Sequence, residues 1–324
     1  MDYLPKDSFG CPTLLLAPME GVGDRAFRIS MATVGGFDQA CTEFMRVPTN
    51  AHVESLARVY ERDLTAPIPQ AAQIMGGDPE LMAAMAIEVQ KKGAPRIDLN
   101  CGCPSNTVTG RGAGSSLLKD PNHLYQVARA MVKAVNIPVT AKLRTGFNDT
   151  SLFKENILAA QESGIKFLTL HARTKADGYK APARWEFIAE AKSLLKIPVV
   201  GNGDILNVQD ALSILAQTKC DALMIGRGAV INPLIFHEIK NHYSKQAISD
   251  PFSAIRKFLT LFVDQFPLEM PQRGRINKLK QIFSFLFQKN ALLKEKKQEM
   301  LTTSYENVNL MLERNLPFLE KMWG

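Results

Sequence analysis

Cysteine is scarce and badly placed for cross-linking. The five present, Cys11, Cys41, Cys101, Cys103 and Cys220, are an odd number without the C-x2-C spacing that suits tetrahedral zinc, so neither a disulfide framework nor a metal site is expected. Long hydrophobic runs are missing as well: none approaches the roughly 20 apolar residues that a membrane-crossing helix needs. Residues Met1 to Gly10 carry no basic stretch leading into an apolar core, so no membrane association is expected and a cytoplasmic location is. The chain also lacks a Ser-His-Asp motif, a carboxylate pair and a His-x-x-Glu-His pattern, which leaves the common hydrolase and metallopeptidase chemistries without their residues. No Gly-x-Gly-x-x-Gly turn follows an early strand, and this weighs against a doubly wound dinucleotide-binding sheet.

What is present describes a soluble globular protein, with 46% of 324 residues hydrophobic and 22% charged. Such a length holds one large domain of about 250 residues and a smaller one. The net charge of +7 is concentrated at the end, where Lys240 and the residues after it include 14 Lys and Arg against 8 Asp and Glu. A basic module suits a polyanion, because Lys and Arg gain affinity by releasing counterions from phosphates. An ordinary solvated surface accounts for the same charge equally well.

Short apolar or β-branched runs, each followed by a turn and a helix-period stretch, recur eight times. They are Thr13 to Ala17, Phe37 to Thr42, Ala71 to Met75, Arg96 to Asn100, Pro138 to Leu143, Phe167 to His171, Pro198 to Gly201 and Asp221 to Ile225. Between them the periodicity predicts helices at 79–91, 124–135, 152–163, 185–195 and 208–215. Eight such units predict an α/β fold, a (β/α)8 TIM barrel. After Tyr243 the pattern turns to helices without strands, punctuated by Pro251, Pro267, Pro271 and Pro317, which predicts a small all-α helical-bundle domain. The boundary falls so that residues 1–245 form the barrel and 246–324 the helical domain. There, Ile276, Leu279, Ile282, Phe283, Leu286 and Phe287 recur at helical spacing and give one core face. Arg273, Arg275, Lys278 and Lys280 crowd the start of that helix, where the macrodipole disfavours each cation by roughly a few tenths of a kcal/mol. Something other than local helix stability is expected to select them.

In a barrel of this kind the active site lies at the C-terminal ends of the strands. Those ends carry Pro18, Met19 and Glu20, then Glu43 and Arg46, Gln73, Asn100 to Ser105, Lys142 and Arg144, His171 and Arg173, Asn202 to Asp204, and Gly226 to Gly228. A structural rim would need fewer polar groups. Gly203, Gly226 and Gly228 remove side chains so that backbone N–H groups can approach an anion, and Arg227 adds a charged donor, so the last two ends predict a phosphate cradle rather than plain turns. Lys142 points, by alternation, either into the barrel or into the helix layer. A buried lysine without a task is rare, which favours the inward direction. Cys103, between Gly102 and Pro104, can serve as acid or nucleophile, or can share with Cys101 the role of a small buried hydrophobe.

Four motifs, Ala17-Pro18-Met19-Glu20-Gly21-Val22, Leu99-Asn100-Cys101-Gly102-Cys103-Pro104-Ser105, His171-Ala172-Arg173-Thr174 and Gly201-Asn202-Gly203-Asp204-Ile205, resemble the tRNA-dihydrouridine synthases in residues, order and spacing. The resemblance runs the length of the barrel and implies an FMN-binding barrel followed by a helical tRNA-recognition domain. Carried over position by position, it implies FMN contacts from Pro18, Met19, Glu20, Gln73, Lys142, His171, Asn202, Gly203, Asp204, Gly226 and Arg227. It further implies that Cys103 is the catalytic cysteine and that Asn100 touches the target uridine.

The chemistry implied by the resemblance is reduction of the uracil C5=C6 bond, with hydride from reduced FMN to C6, a proton from Cys103 to C5, and NADPH as the electron source. Lys142 would stabilise negative charge on the reduced ring. The target would lie in the tRNA D-loop, where a uridine can leave its stack. Thr42 to Val47, Cys101 and the moderate C-terminal part look most like the C-type subfamily, which modifies uridine 16, with uridine 17 or 20 as the alternative. Arg46, Tyr179, Lys278 and Lys280 are then the implied tRNA contacts, while Ala172 and Asp204 stand where that subfamily usually has glycine and glutamate. A monomer is expected. Two rival readings remain: another FMN barrel oxidoreductase acting on a small molecule, and an RNA-binding module on a barrel that has lost catalysis.

Overall fold

A computed structural model of the chain describes residues 3–60, 68–104, 112–180, 182–289 and 291–323; Ser105 of the cysteine motif lies outside the described residues. The strands are β1 (Leu14–Leu16), β2 (Gln39–Cys41), β3 (Met45–Arg46), β4 (Gln70–Met75), β5 (Ile97–Cys101), β6 (Val139–Arg144), β7 (Leu168–His171), β8 (Val199–Asn202) and β9 (Ala222–Ile225). All pair in parallel, β1 bonds to both β2 and β9, and a β2–β4 pairing closes the barrel. Each of the eight expected runs overlaps one barrel strand, with β4 starting one residue before its run and β5, β6 and β8 ending one residue after theirs. The additional β3 is a two-residue rung on β4, Met45 opposite Ile74 and Arg46 opposite Met75, too short and too polar to register as a period.

Around the barrel run α1 (Arg25–Val34), α2 (Val53–Ala57), α3 (Pro79–Lys91), α4 (Pro121–Ala134), α5 (Phe153–Glu162), α6 (Glu186–Leu194), α7 (Val208–Thr218), α8 (Arg227–Ile231) and α9 (Ile235–Ser244). Beyond them come α10 (Pro251–Asp264), α11 (Gln272–Leu286), α12 (Ala291–Thr302) and α13 (Val308–Trp323). Three of these helices start at an Asp-Pro pair: Asp78, Asp120 and Asp250 each accept a hydrogen bond from a first-turn N–H, and the following proline loses nothing by lacking its own. Pro317, by contrast, lies inside α13 and does not punctuate it. On α11 the stripe Leu279, Ile282, Phe283 and Leu286 is buried as its spacing predicts. Phe258 of α10 meets Phe27 of α1 edge to face at 5.8 Å, which ties the C-terminal helices to the barrel wall.

Parallel strands alternate inward and outward, so register decides what fills the barrel. Leu15, Ala17, Val200, Ala222 and Met224 pack with Phe167 and Leu4 into an apolar cluster. The opposite half is polar. Gln73 sits beside Asp98, Asp98 beside Thr140, and Asn100 beside Lys142, so all five side chains face the interior. Ile97, Leu99 and Cys101 alternate with them and join the core between strands and helices.

Candidate functional site

The C-terminal ends of the strands surround a cavity of about 600 Å³, lined among others by Pro18, Met19, Glu20, Gln73, Asn100, Cys103, Lys142, His171, Tyr179 and Arg227. A polar annex of about 80 Å³ shares Pro18, Met19, Lys142, His171, Tyr179 and Arg227, and adds Asn202, Gly203, Asp204 and Gly226. A volume of this size suits a cofactor-sized ligand. Every residue expected to touch the cofactor lines one chamber or the other, together with Asn100, Cys103 and Tyr179.

The annex side of the polar wall is cationic. Lys142 points inward, and its Nζ donates to Asn202 Oδ1 at 3.1 Å, while Asn202 Nδ2 donates to the Met224 carbonyl at 2.7 Å. Burial, reinforced by the Arg144 charge, lowers the Lys142 pKa to about 8, with Asp98 pulling the other way. His171 is pushed far below its ordinary range by burial and then by Lys142, Arg144, Arg173 and Arg227, so its imidazole is neutral. Arg173 Nη1 lies 3.3 Å from His171 Nε2. Because a guanidinium only donates, Nε2 is the acceptor and the ring proton sits on Nδ1. Around the annex Lys142 and Arg227, with Arg173 behind them, outnumber the Asp204 carboxylate, which favours an anionic occupant there; the larger chamber sets Glu20 and Glu43 against Arg144.

Asp204 is not free to bind a ligand with its carboxylate. Both oxygens accept from Arg173 Nη2, at 2.8 and 2.6 Å, and the group also accepts from Arg227 Nη2 at 3.1 Å and Ala183 N at 2.8 Å. Burial raises its pKa, but the Arg173 and Ala183 hydrogen bonds and the two guanidinium charges outweigh that and hold it below the ordinary carboxylate range. Its work is to aim Arg227. The glycines divide similarly. Gly203 has φ +125°, and an added Cβ would meet the Ala183 Cβ at 2.9 Å; a Cβ on Gly228 would run into the Ile205 carbonyl oxygen. Those two are glycine because the β8 and β9 loops pack on their neighbours. The nearest atoms to a Cβ on Gly226 would belong to Ala17 and Met19, at 3.4 Å.

Cys103 follows β5 and faces the cavity, with its Sγ 3.9 Å from Glu20 Oε2. Its N–H and that of Gly102 are both received by Asn100 Oδ1, and its carbonyl accepts from Ser115 N at 3.1 Å. Cys101 faces the other way, fully buried in the core behind the strands, and burial raises its pKa well above the usual thiol range. Of the two adjacent thiols only Cys103 reaches the cavity.

The four residues expected at the tRNA divide. Tyr179 is 56% exposed at the cavity mouth, its ring 4.8 Å from the Arg227 guanidinium carbon and 5.4 Å from that of Arg144. Arg46 is on β3, outside the cavity lining. Lys278 is paired with Asp24 at the start of α1. Lys280 Nζ donates to the Leu301 and Thr303 carbonyls at 2.6 and 2.9 Å, closing the end of α12. Arg275 likewise donates to the carbonyls of Pro267, Leu268 and Met270. Sequence reasoning missed Phe285, which α11 inserts into the cavity wall; its signal is an aromatic outside the apolar stripe of its own helix. It also missed Asp98, an acid buried within β5.

The chain matches the family described as Dihydrouridine synthase (Dus) over residues 15–320. It is 37% identical over 261 residues to the tRNA-dihydrouridine(16) synthase of Neisseria meningitidis serogroup B, covering 78% of each chain. It is 40% identical over 235 residues to the protein of the same description from Shewanella oneidensis, covering 70% of this chain and 75% of that one. Among solved structures, the old yellow enzyme homologue of Zymomonas mobilis superposes with a TM-score of 0.50 at 13% identity, over 76% of this chain and 92% of that one. At that identity it shows the barrel fold alone.

Proposed function

This chain belongs to the dihydrouridine synthase family, and from that premise we propose that it reduces the C5=C6 bond of uridine 16 in the tRNA D-loop, as the names of its relatives imply. Residues 1–245 form the FMN-binding catalytic part and 246–324 the tRNA-recognising part of a cytoplasmic monomer, with NADPH as reductant. Two features support FMN as the occupant: the cationic annex beside Gly226 and Arg227, which suits a phosphate, and the inward Lys142 between Asn100 and Asn202, which suits a ring that gains negative charge.

Pro18, Met19, Glu20, Gln73, Lys142, His171, Asn202, Gly203, Asp204, Gly226 and Arg227 would hold the flavin, Asp204 by orienting Arg227 and the glycines through backbone contact. When bound and reduced, FMN supplies the hydride that uracil C6 accepts. Cys103 supplies the proton for C5 as general acid, from a thiol whose backbone is anchored on both sides. Asn100 retains a second Nδ2 hydrogen for the uracil edge. His171, neutral and protonated on Nδ1, can donate without adding charge. Tyr179 and Arg46 offer stacking and phosphate contacts to the tRNA.

The observation that carries the reading is that the Cys103 thiol opens onto the same cavity as the flavin-site residues, while Cys101 is buried behind the strands. The test is Cys103→Ala. Flavin content and tRNA affinity are expected to stay within about two-fold of the wild type while dihydrouridine at position 16 falls by two orders of magnitude or more, on the order of a lost general acid. Wild-type turnover in that variant would remove Cys103 from the reaction.

A further inference from the structure

Beneath Cys103 a chain of side-chain hydrogen bonds runs to the interior of the barrel, and every bond in it points the same way. Cys103 N and Gly102 N donate to Asn100 Oδ1. Asn100 Nδ2 donates to Gln73 Oε1 at 2.9 Å, and Gln73 Nε2 to Asp98 Oδ2 at 2.8 Å. From the opposite side Arg96 Nη1 donates to Thr140 Oγ1 at 2.8 Å, and Thr140 Oγ1 to Asp98 Oδ1 at 2.6 Å. Asp98 is completely buried, and Gln73 is too.

Primary amides have two nearly isosteric ends, and a terminal Asn or Gln takes whichever orientation its partners impose. The backbone N–H of Cys103 requires an oxygen from Asn100. That requirement is met only if Gln73 offers Asn100 an oxygen, and Gln73 does so only because its nitrogen end has a pure acceptor to donate to. The Asp98 carboxylate is that acceptor. We propose that Asp98 is a positioning residue for Cys103: acting through Gln73 and Asn100, it fixes the polarity of two successive amides and thereby holds the backbone that presents the thiol to the uracil. The role rests on the reading of Cys103 as proton donor, but the relay itself is measurable without turnover.

A one-atom change inverts the chain. In Asp98→Asn, the Thr140 hydroxyl and the Arg96 guanidinium, 3.7 Å from Oδ1, hold the new amide oxygen on their side and turn its nitrogen towards Gln73. Gln73 then reverses, Asn100 reverses after it, and Asn100 presents NH2 to two backbone N–H donors. In Asn100→Asp, an acceptor faces Gln73 Oε1 and the same conflict arises from the other end. The double variant, Asp98→Asn with Asn100→Asp, resolves it. The new amide at position 98 donates to Gln73, Gln73 donates to the new carboxylate at position 100, and that carboxylate accepts from Gly102 and Cys103. The negative charge has moved by two residues and every donor has a partner again.

The experiment is a double-mutant cycle on the full-length flavin-loaded protein, reading the rate of Cys103 alkylation by iodoacetamide at its high-pH plateau, the kcat–KM split for tRNA, and the melting temperature. Cys103 as a residue is only 6% exposed, so releasing its backbone is expected to raise the plateau rate several-fold in each single variant. In Asp98→Asn kcat is expected to fall ten-fold or more with KM within about three-fold; Asn100→Asp also removes the amide that faces the uracil, so its part in the cycle is read by alkylation and melting temperature. The double variant is expected to recover the alkylation rate and melting temperature. Single variants that alkylate at the wild-type rate, or a double variant no better than the worse single, overturn the relay. Faster alkylation in Asp98→Asn, reversed in the double variant, with kcat of Asp98→Asn unchanged leaves the relay standing and sinks the proton-donor reading instead. Thr140→Val is the control: it removes a hydrogen bond from the same carboxylate but not the Gln73 contact, and is expected to leave Cys103 alkylation unchanged.

Discussion

Lys142 is a cation held where water is scarce, and its cost should be visible as a pH-dependent stability difference. Burial, with the Arg144 charge behind it, lowers its pKa from 10.5 to about 8. The sign follows from linkage: between pH 8 and 10.5 the unfolded chain binds the proton more tightly than the folded one, so stability rises with pH across that window. The destabilisation is fully present below pH 8 and vanishes above 10.5. A shift of that size corresponds to about 3 kcal/mol at pH 7 as a ceiling, and because the ammonium borders the cavity we take about 2 kcal/mol. For a chain of this length that is about 3 °C in melting temperature. The assay compares melts of flavin-free wild type and Lys142→Met from about pH 7 to 10. The variant is expected to gain on the wild type at neutral pH and to lose most of that advantage at the alkaline end, since packing terms and the lost Asn202 hydrogen bond do not titrate. Parallel melting curves would refute the reasoning and place the Lys142 ammonium in solvent.

Asp204→Ala leaves Arg173, whose side chain is 3% exposed, without its counter-charge; a loss of about 3 kcal/mol is expected, read as a drop of roughly 4 °C in melting temperature. Because the Asp204 pKa is depressed below 3.8 in the folded state, the wild type should begin to lose this contribution only below that value, and melts carried from about pH 6 to about pH 2 should converge on the variant at the acid end. Lys280→Ala should lower stability by about 1–2 kcal/mol by uncapping α12, while the salt dependence of tRNA binding stays the same. A slope reduced by about 1 would instead make Lys280 a phosphate contact.

The barrel was legible because alternation, turns and eight evenly spaced units repeat one signal over more than 200 residues. The site was legible where a strand end carries its own chemistry: Lys142, His171, Asn202 and Cys103 all point into one space because their strands place them there. What sequence could not give is where a charge is spent. Lys278 and its partner Asp24 are 254 residues apart, and Lys280 is hydrogen-bonded by carbonyl groups, which carry no residue-type signal at all. The basic start of α11 therefore read as a polyanion surface, and much of it is internal strutting. Gly228 had a similar fate. Its missing side chain suggested an approaching anion, yet the Ile205 carbonyl fills the place where a Cβ would go.

This changes how the tRNA and small-molecule readings can be separated. Deleting residues 246–324 removes Phe285 from the cavity wall, uncovers the Phe27 edge that Phe258 covers, and strips Lys278 from the cap of α1. A truncated protein would fail under either reading, because the barrel itself is damaged. The intact protein offers the cleaner comparison. After anaerobic reduction with NADPH, reoxidation of the flavin can be followed on addition of unmodified tRNA, of free uridine, or of a small enone. A substrate whose affinity comes from contacts outside the cavity should accelerate reoxidation only as part of the polymer, since binding energy remote from the reacting bond is what positions it. Rapid reoxidation by tRNA and slow reoxidation by both small molecules is the expected result. Equal rates with the small enone would mean that the cavity alone selects the substrate, and the reading of the C-terminal helices as a recognition element would fall.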